Sequence, residues 1–151
     1  MRFSVAIPAH DRGKNGPIWM RELLDSIKNQ TFQDIEIVVS DQSRNDKILN
    51  VCQEYSNDFD FKYIKYQGSV PCENINIALD ECEGEIIKIM FSDDLFVKND
   101  ALEIIDKQYK KFNCKWAFSG FCGTRDGINF YSEKIPAWSD YMLEGRNLLS
   151  S

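Results

Sequence analysis

Glu85-Ile86-Ile87-Lys88-Ile89-Met90-Phe91-Ser92-Asp93-Asp94 is the stretch on which the fold turns. Its large apolar residues, interrupted by one lysine, predict a strand buried in a sheet. The apolar run stops at Phe91, and two adjacent carboxylates follow. An open α/β sheet binds its ligands at the carboxyl ends of its strands. Two carboxylates side by side at such an end repel each other, and a cation or a hydroxyl-bearing ligand would relieve that repulsion.

Outward from that strand, the chain alternates between two hydrophobic periods. On the N-terminal side, Gly84 ends a helix that starts after Pro71 and turns Ile75, Ile77, Ala78, Leu79 and Cys82 inward. Before it, Phe61 to Tyr66 alternates as a strand near a sheet edge, and Gly68 breaks it. Ser43 with Asp46 resembles a capping box opening a helix through Ile48, Leu49, Cys52 and Tyr55. Ile35 to Val39 and Phe3 to Ile7 are short apolar strands. Between them Pro17 suits a first helical turn, and Ile18, Leu23, Leu24 and Ile27 give that helix its apolar face. On the C-terminal side, Asp100 with Glu103 repeats the capping pattern ahead of a helix ending near Phe112. Trp116 to Phe121 reads as a further strand. The order βαβαβαβαβ predicts an α/β fold, a mostly parallel sheet with helices on both faces, joined by right-handed crossovers.

Composition narrows the classes of function. The 151 residues fit one domain and are enough to bury a core; 43% are hydrophobic and 13% aromatic, which excludes a disordered chain. The net charge of −6 comes without a basic block, which argues against a nucleic-acid partner. No apolar run reaches membrane-spanning length, and Met1 leads straight into a strand instead of a signal peptide. The expected setting is cytoplasmic, with room for peripheral association at a membrane. Cys52, Cys72, Cys82, Cys114 and Cys122 are scattered, with no CxxC pair, and read as reduced core residues. With His10 the only histidine, a zinc site is not expected.

Motifs narrow them further. The loop Pro8-Ala-His-Asp-Arg-Gly-Lys-Asn-Gly16 holds neither GxGxxG nor GxxxxGK[ST], and the chain has no GxSxG elbow. What stands at strand ends is acid: Asp41 after the second strand, Asp93 and Asp94 after the fourth. In a parallel sheet these share one edge with His10 and Asp11 after the first. Carboxylates and one imidazole can hold a divalent cation, hydrogen-bond a ribose and read a base edge. They cannot neutralise a diphosphate, a task that points to Mg²⁺ or Mn²⁺.

Four segments, in order and in register, resemble family 2 glycosyltransferases of the GT-A fold. Ser4-Val-Ala-Ile-Pro-Ala-His-Asp-Arg12 is similar to the family's SVIIPTYNR start. Leu24 to Val39 resembles its LxSIxxQTxxxxEIIV stretch. Ser40-Asp-Gln-Ser-Arg-Asn-Asp46 stands where the family shows DDGSxD. Asn76 to Asp94 resembles NxAxxxAxGEYIxxLDxDD. The likeness runs from Arg2 to about Gly123, so the resemblance implies a nucleotide-sugar-binding GT-A core over residues 1–123. Residues 124–151 would begin an acceptor-side segment that this chain does not complete.

The resemblance implies transfer of a sugar from a nucleotide-diphosphate donor, UDP-sugar favoured, to a glycan, lipid or protein hydroxyl, with inversion and with Mn²⁺ or Mg²⁺. It implies Asp94 as metal ligand and Asp93 as its metal- or ribose-contacting neighbour. Asp41 falls on the acid that reads the base, and His10 where an aromatic ring lies against it. Asp11 flanks that contact, and Pro8 sets the turn out of the first strand. Ser92 replaces the first acid of the DxD motif, and Ile75 stands where a basic residue commonly precedes the asparagine. No acid of the tail, Asp126, Glu133, Asp140 or Glu144, sits in a matching motif, so no general base is assigned. A second expectation is a nucleotide-sugar-binding module without turnover. A receiver-like signalling domain would need its acid pair after the first strand, where this chain has Pro-Ala-His-Asp. The exposed aromatics of the tail leave a homo-oligomer or another partner as cover for that end.

Overall fold

The computed structural model describes residues 1–11, 15–113, 115–116, 122–124 and 130–132. Two compact units divide it, Met1–Ile105 and Asp106–Ser151. In the first, β1 (Phe3–Ala9), α1 (Gly16–Lys28), β2 (Ile35–Asp41), α2 (Lys47–Glu54), β3 (Asp60–Lys65), α3 (Pro71–Asp80) and β4 (Ile86–Ile89) alternate as expected. Helix α4 (Ala101–Phe112) runs across the division. In the second unit, β5 (Cys122–Thr124) pairs antiparallel with β6 (Phe130–Ser132). Residues 117–121, where a strand is expected, lie outside the described residues, as do the side chains of Cys114 and Cys122. Among the described residues no helix is long and apolar enough to cross a membrane.

The sheet of the first unit is wholly parallel, in the order β3-β2-β1-β4. Phe3, Val5, Ile7 and Ala9 of β1 and Ile35, Ile37 and Val39 of β2 point to one face. There they meet Met20, Leu23, Leu24 and Ile27 of α1, Ile48, Val51 and Cys52 of α2, and Leu102 of α4 in one core. The alternate residues Ser4, Ala6, Glu36, Val38 and Ser40 face the other side, where α3 presents Asn74 and Ala78. Helices therefore cover both faces. Pro8 is tolerated in a central strand because pairing with β4 ends at Ala6 and Ile89, so its missing N–H leaves no ladder bond unmade.

Several local expectations change in three dimensions. Helix α1 buries Met20, not Ile18, because 20, 23, 24 and 27 share one stripe; Ile18 is exposed. The Ser43–Asp46 capping box does not form. The Ser43 hydroxyl accepts from the Asp11 N–H (2.7 Å), and α2 begins later, at Lys47. At α4, the Leu102 N–H is taken by Gln30 Oε1 (3.1 Å), whose own amide donates to the Lys98 carbonyl (2.8 Å), so a side chain from the segment after α1 caps this helix. Helix α3 turns Asn74 inward with Ala78, one helical turn on, and leaves Ile75 half-buried. Cys52 is buried but Cys72 is exposed.

The opening strand is also less enclosed than its sequence suggests. β4 spans four residues and pairs only with β1 among the described residues, so Ile87 (44%) and Ile89 (39%) are exposed while Met90 is buried. β3, at the opposite edge, is half-buried from Phe61 to Lys65 instead of alternating in exposure, with Phe61 and Tyr63 packed against the core.

A buried carboxylate ties β4 into the sheet. Glu36 on β2 accepts from the Ser4 hydroxyl (2.5 Å) and from the backbone N–H groups of Glu83 (2.6 Å) and Gly84 (2.9 Å), all at Oε1. Lys62 on β3 lies 3.5 Å from Oε2. Burial pushes this carboxyl up, but the three donors and the lysine outweigh it and hold the group below its ordinary range. Gly84 must be glycine: a Cβ there would come within 2.6 Å of the Ser4 nitrogen and 2.7 Å of the Phe3 carbonyl carbon. Backbone cannot yield as a side-chain tip can. Gly84→Ala is expected to cost ~1–3 kcal/mol by overpacking, read as a lower urea midpoint with unchanged slope.

Candidate functional site

Parallel pairing brings the carboxyl ends of β1, β2 and β4 to one edge, and α3 starts there because it returns from β3. A cleft of about 410 Å³ opens at that edge. Pro8, Ala9 and His10 line it from the end of β1, Trp19 from α1 and Gln42 from the residue after β2. Pro71, Asn74 and Ile75 contribute the first turns of α3, and Phe91, Ser92, Asp93 and Asp94 the segment after β4. His10, Asp93 and Asp94 are exposed, while Ser92 and Asn74 are buried in its wall.

Asn74 fixes the floor. It accepts from the Ser40 hydroxyl (2.6 Å) and donates to the Ala9 carbonyl (3.3 Å), bracing the ends of β2 and β1 against α3. The segment after β4 makes a tight turn in which Asp94 Oδ2 accepts from the Phe91 N–H (2.9 Å) and the Asp94 N–H donates to the Phe91 carbonyl (2.9 Å). Asp94 Oδ1 and both Asp93 oxygens have no hydrogen-bond partner among the described residues. Lys88, on the core face of β4, is the nearby cation: burial lowers its amine, and the Asp94 charge opposes that shift. No lysine or arginine lines the cleft among the described residues.

Two of the expected residues stand behind the cleft instead of in its wall. Asp41 is fully buried at the end of β2, its Oδ1 accepting from the Ser43 N–H (2.8 Å) and its Oδ2 from the Tyr63 hydroxyl (2.6 Å) and Lys65 (3.1 Å). Burial, then the bond to Asp41, pushes the Tyr63 phenol far above its ordinary value. Asp11 accepts from Asn45 (2.9 Å), with Lys47 at 3.6 Å. The Asn45 bond leads the causes that hold the Asp11 carboxyl below its ordinary range. These contacts lock the loop after β1 to the loop after β2. The structure thus brings Pro8, His10, Asp93 and Asp94 together, with Asp11 and Asp41 as their support.

Trp19, Gln42, Asn74 and Phe91 are the lining residues that sequence reasoning did not single out. Asn74 carried a signal, a polar residue in helical phase with Ala78. Gln42 carried another, standing where the DDGSxD pattern has glycine. Trp19 carried none, since its place on the wall depends on how α1 packs.

The carboxylates suit a divalent ion that arrives with a phosphate ligand more than one held in a protein cage. Among the described residues no three His, Cys, Asp or Glu side chains converge on a point. Mg²⁺-type sites need only one or two carboxylates when substrate phosphates supply further oxygens, and Asp93 and Asp94 offer that much.

A family model described as glycosyl transferase family 2 matches residues 4–147. The poly(ribitol-phosphate) beta-N-acetylglucosaminyltransferase TarS of Staphylococcus aureus is 31% identical over 116 residues, covering 72% of this chain and 20% of that protein. The GalNAc(5)-diNAcBac-PP-undecaprenol beta-1,3-glucosyltransferase of Campylobacter jejuni is 33% identical over 96 residues, 62% of this chain and 30% of that protein. Among solved structures, S. aureus TarS 1–349 in complex with UDP matches with a TM-score of 0.66 at 27% identity, over 75% of this chain and 33% of that one. Its complex with UDP-GlcNAc gives 0.64 at 27% identity over 75% of this chain and 32% of that one. The chain therefore spans a third or less of these relatives. Its parallel α/β sheet is that of the GT-A glycosyltransferases, and with the family model matched from β1 through nearly the whole sequence, the chain belongs to glycosyl transferase family 2.

Proposed function

We propose that the cleft binds a nucleotide-diphosphate sugar, UDP-sugar first, and that the chain serves transfer of that sugar to a hydroxyl of a glycan, lipid or protein. The observation that carries this is the pairing of the exposed carboxylates of Asp93 and Asp94 with the flat groups of His10 and Trp19 in one cleft. A nucleotide sugar needs both: a ring surface for the base and acids for ribose hydroxyls and a cation. TarS structures with UDP and UDP-GlcNAc support the donor class.

In this reading Pro8 and His10 lie against the base. Asp93 takes the ribose or the metal, and Asp94 the metal. Asp11 and Asp41 hold the base-side loops. Mn²⁺ or Mg²⁺, when bound, would stabilise charge on the leaving diphosphate. Among the described residues none lining the cleft supplies a cation for that task, and the positive N-terminal end of α3 is a further local source of favourable potential. The acceptor oxygen forms its bond to the anomeric carbon as the bond to the diphosphate oxygen breaks with its electron pair. Attack from the opposite face inverts the centre, and the acceptor proton passes to a base that no described residue supplies. Residues 1–123 are assigned to the donor core and 124–151 to the start of the acceptor side.

A thermal-shift panel of UDP, GDP, CDP and dTDP, each with and without Mn²⁺, tests the donor class. UDP with Mn²⁺ is expected to give the largest rise in melting midpoint. A flat response to all four sinks the reading.

A further inference from the structure

We propose that Ser26 and Gln30 are positioning residues for Asp93 and Asp94, acting through the chain that follows the two carboxylates. The inference rests on the donor-site reading above and deepens it. Between β4, which ends at Ile89, and α4, which begins at Ala101, residues 90–100 lie outside any helix or strand. Asp93 and Asp94 stand within that span. Its last bond to the sheet among the described residues runs from the Met90 N–H to the Ala6 carbonyl (3.0 Å).

The far side of the span is held by α1 and the residues just after it. The Phe96 N–H, two residues past Asp94, donates to the Ser26 hydroxyl (3.1 Å), whose own hydrogen goes to the Leu23 carbonyl (2.7 Å). The Lys98 carbonyl accepts from Gln30 Nε2 (2.8 Å), and the Asn99 carbonyl accepts from the Thr31 N–H (2.7 Å). The Leu102 N–H closes the set on Gln30 Oε1 (3.1 Å). Gln30 is buried, and its Nε2 also donates to the Ser26 carbonyl (3.2 Å), so both ends of its amide are in use and its orientation is fixed. The turn that carries Asp94 is thus tied to β1 before it and to α1 after it, both set in the core. Its internal bonds between Asp94 and Phe91 are local and would survive a shift of the whole turn. A loop untied on one side must be ordered when a cation and a diphosphate arrive, and that ordering costs affinity.

Calorimetry of UDP binding to the full chain, with and without Mn²⁺, tests this through the metal increment, the ratio of the two affinities. Ser26→Ala is expected to lower that increment about fivefold, the scale of one hydrogen bond, while metal-free UDP affinity stays at the wild-type value. Ser26→Thr keeps the hydroxyl and is expected to keep the increment. Gln30→Glu retains an acceptor for the Leu102 N–H but no donor for the Lys98 carbonyl, and is expected to lower the increment as Ser26→Ala does. Variants that melt earlier yet keep the wild-type increment would make Ser26 and Gln30 supports of the fold alone. That result overturns the positioning role and leaves the donor site standing, as does an equal loss of affinity with and without Mn²⁺. A wild type that shows no metal increment, or does not bind UDP, overturns both readings.

Discussion

Replacing Glu36 with alanine is expected to destabilise the fold by about 3–5 kcal/mol, the range for breaking a buried charged network from one side. The substitution strands the Ser4 hydroxyl and the N–H groups of Glu83 and Gly84, which converge on one oxygen. It also removes one carboxylate partner of Lys62, which keeps its ion pair with Glu83. Small domains hold only about 5–15 kcal/mol in total, so the variant is expected near its unfolding midpoint at modest urea. Glu36→Gln keeps an acceptor for the amides and should lose less. The pH dependence follows from the direction of the shift. The folded carboxyl lies below its ordinary value of 4.5, so its contribution is complete above that value and disappears as pH falls through the folded pKa. The stability gap between wild type and Glu36→Gln should therefore narrow in acid, below about pH 4. A gap constant down to pH 3 would mean that the charge on Glu36 does not matter.

Asp94→Asn is expected to remove most metal-dependent affinity for UDP, on the order of 100-fold at saturating Mn²⁺. An asparagine oxygen can still accept from the Phe91 N–H, so the turn that presents the residue survives. What is lost is the charge that a hard cation needs. Asp93→Asn should cost less if its main partner is a ribose hydroxyl, which an amide oxygen can also accept. Equal losses in the two variants would make both carboxylates metal ligands. Melting midpoints without ligand separate these effects from damage to the fold, since both residues are exposed.

Alternating periods in the sequence were sufficient for the order of β1 to α4 and for the parallel sheet, because each element buries one face against neighbours of the expected kind. Periodicity placed β3 near an edge but did not show how open β4 is at the other end of the described sheet. β4 reads as fully buried from Ile86 to Phe91, yet Ile87 and Ile89 are exposed because the strand pairs only with β1 among the described residues. Caps failed for a related reason. Ser43 and Asp100 have the right neighbours in sequence, but Asp11 and Gln30 arrive from elsewhere in the chain and set the hydrogen bonds. The site was legible at Pro8, His10, Asp93 and Asp94, which need only the rule that strand ends face ligands. Asp41 obeys the same rule by position, but Tyr63 and Lys65, two strand positions on the neighbouring β3, claim its carboxylate. No local pattern announces a partner that lies 22 residues away in sequence.

Calorimetric titration of UDP, with and without Mn²⁺, into wild type and Asp94→Asn tests the central claim most directly. The donor-site account predicts saturable binding to wild type that Mn²⁺ strengthens at least about tenfold, and a single weak isotherm for Asp94→Asn whether or not Mn²⁺ is present. UDP binding to wild type that ignores Mn²⁺, or an Asp94→Asn variant that keeps the full metal increment, would contradict it.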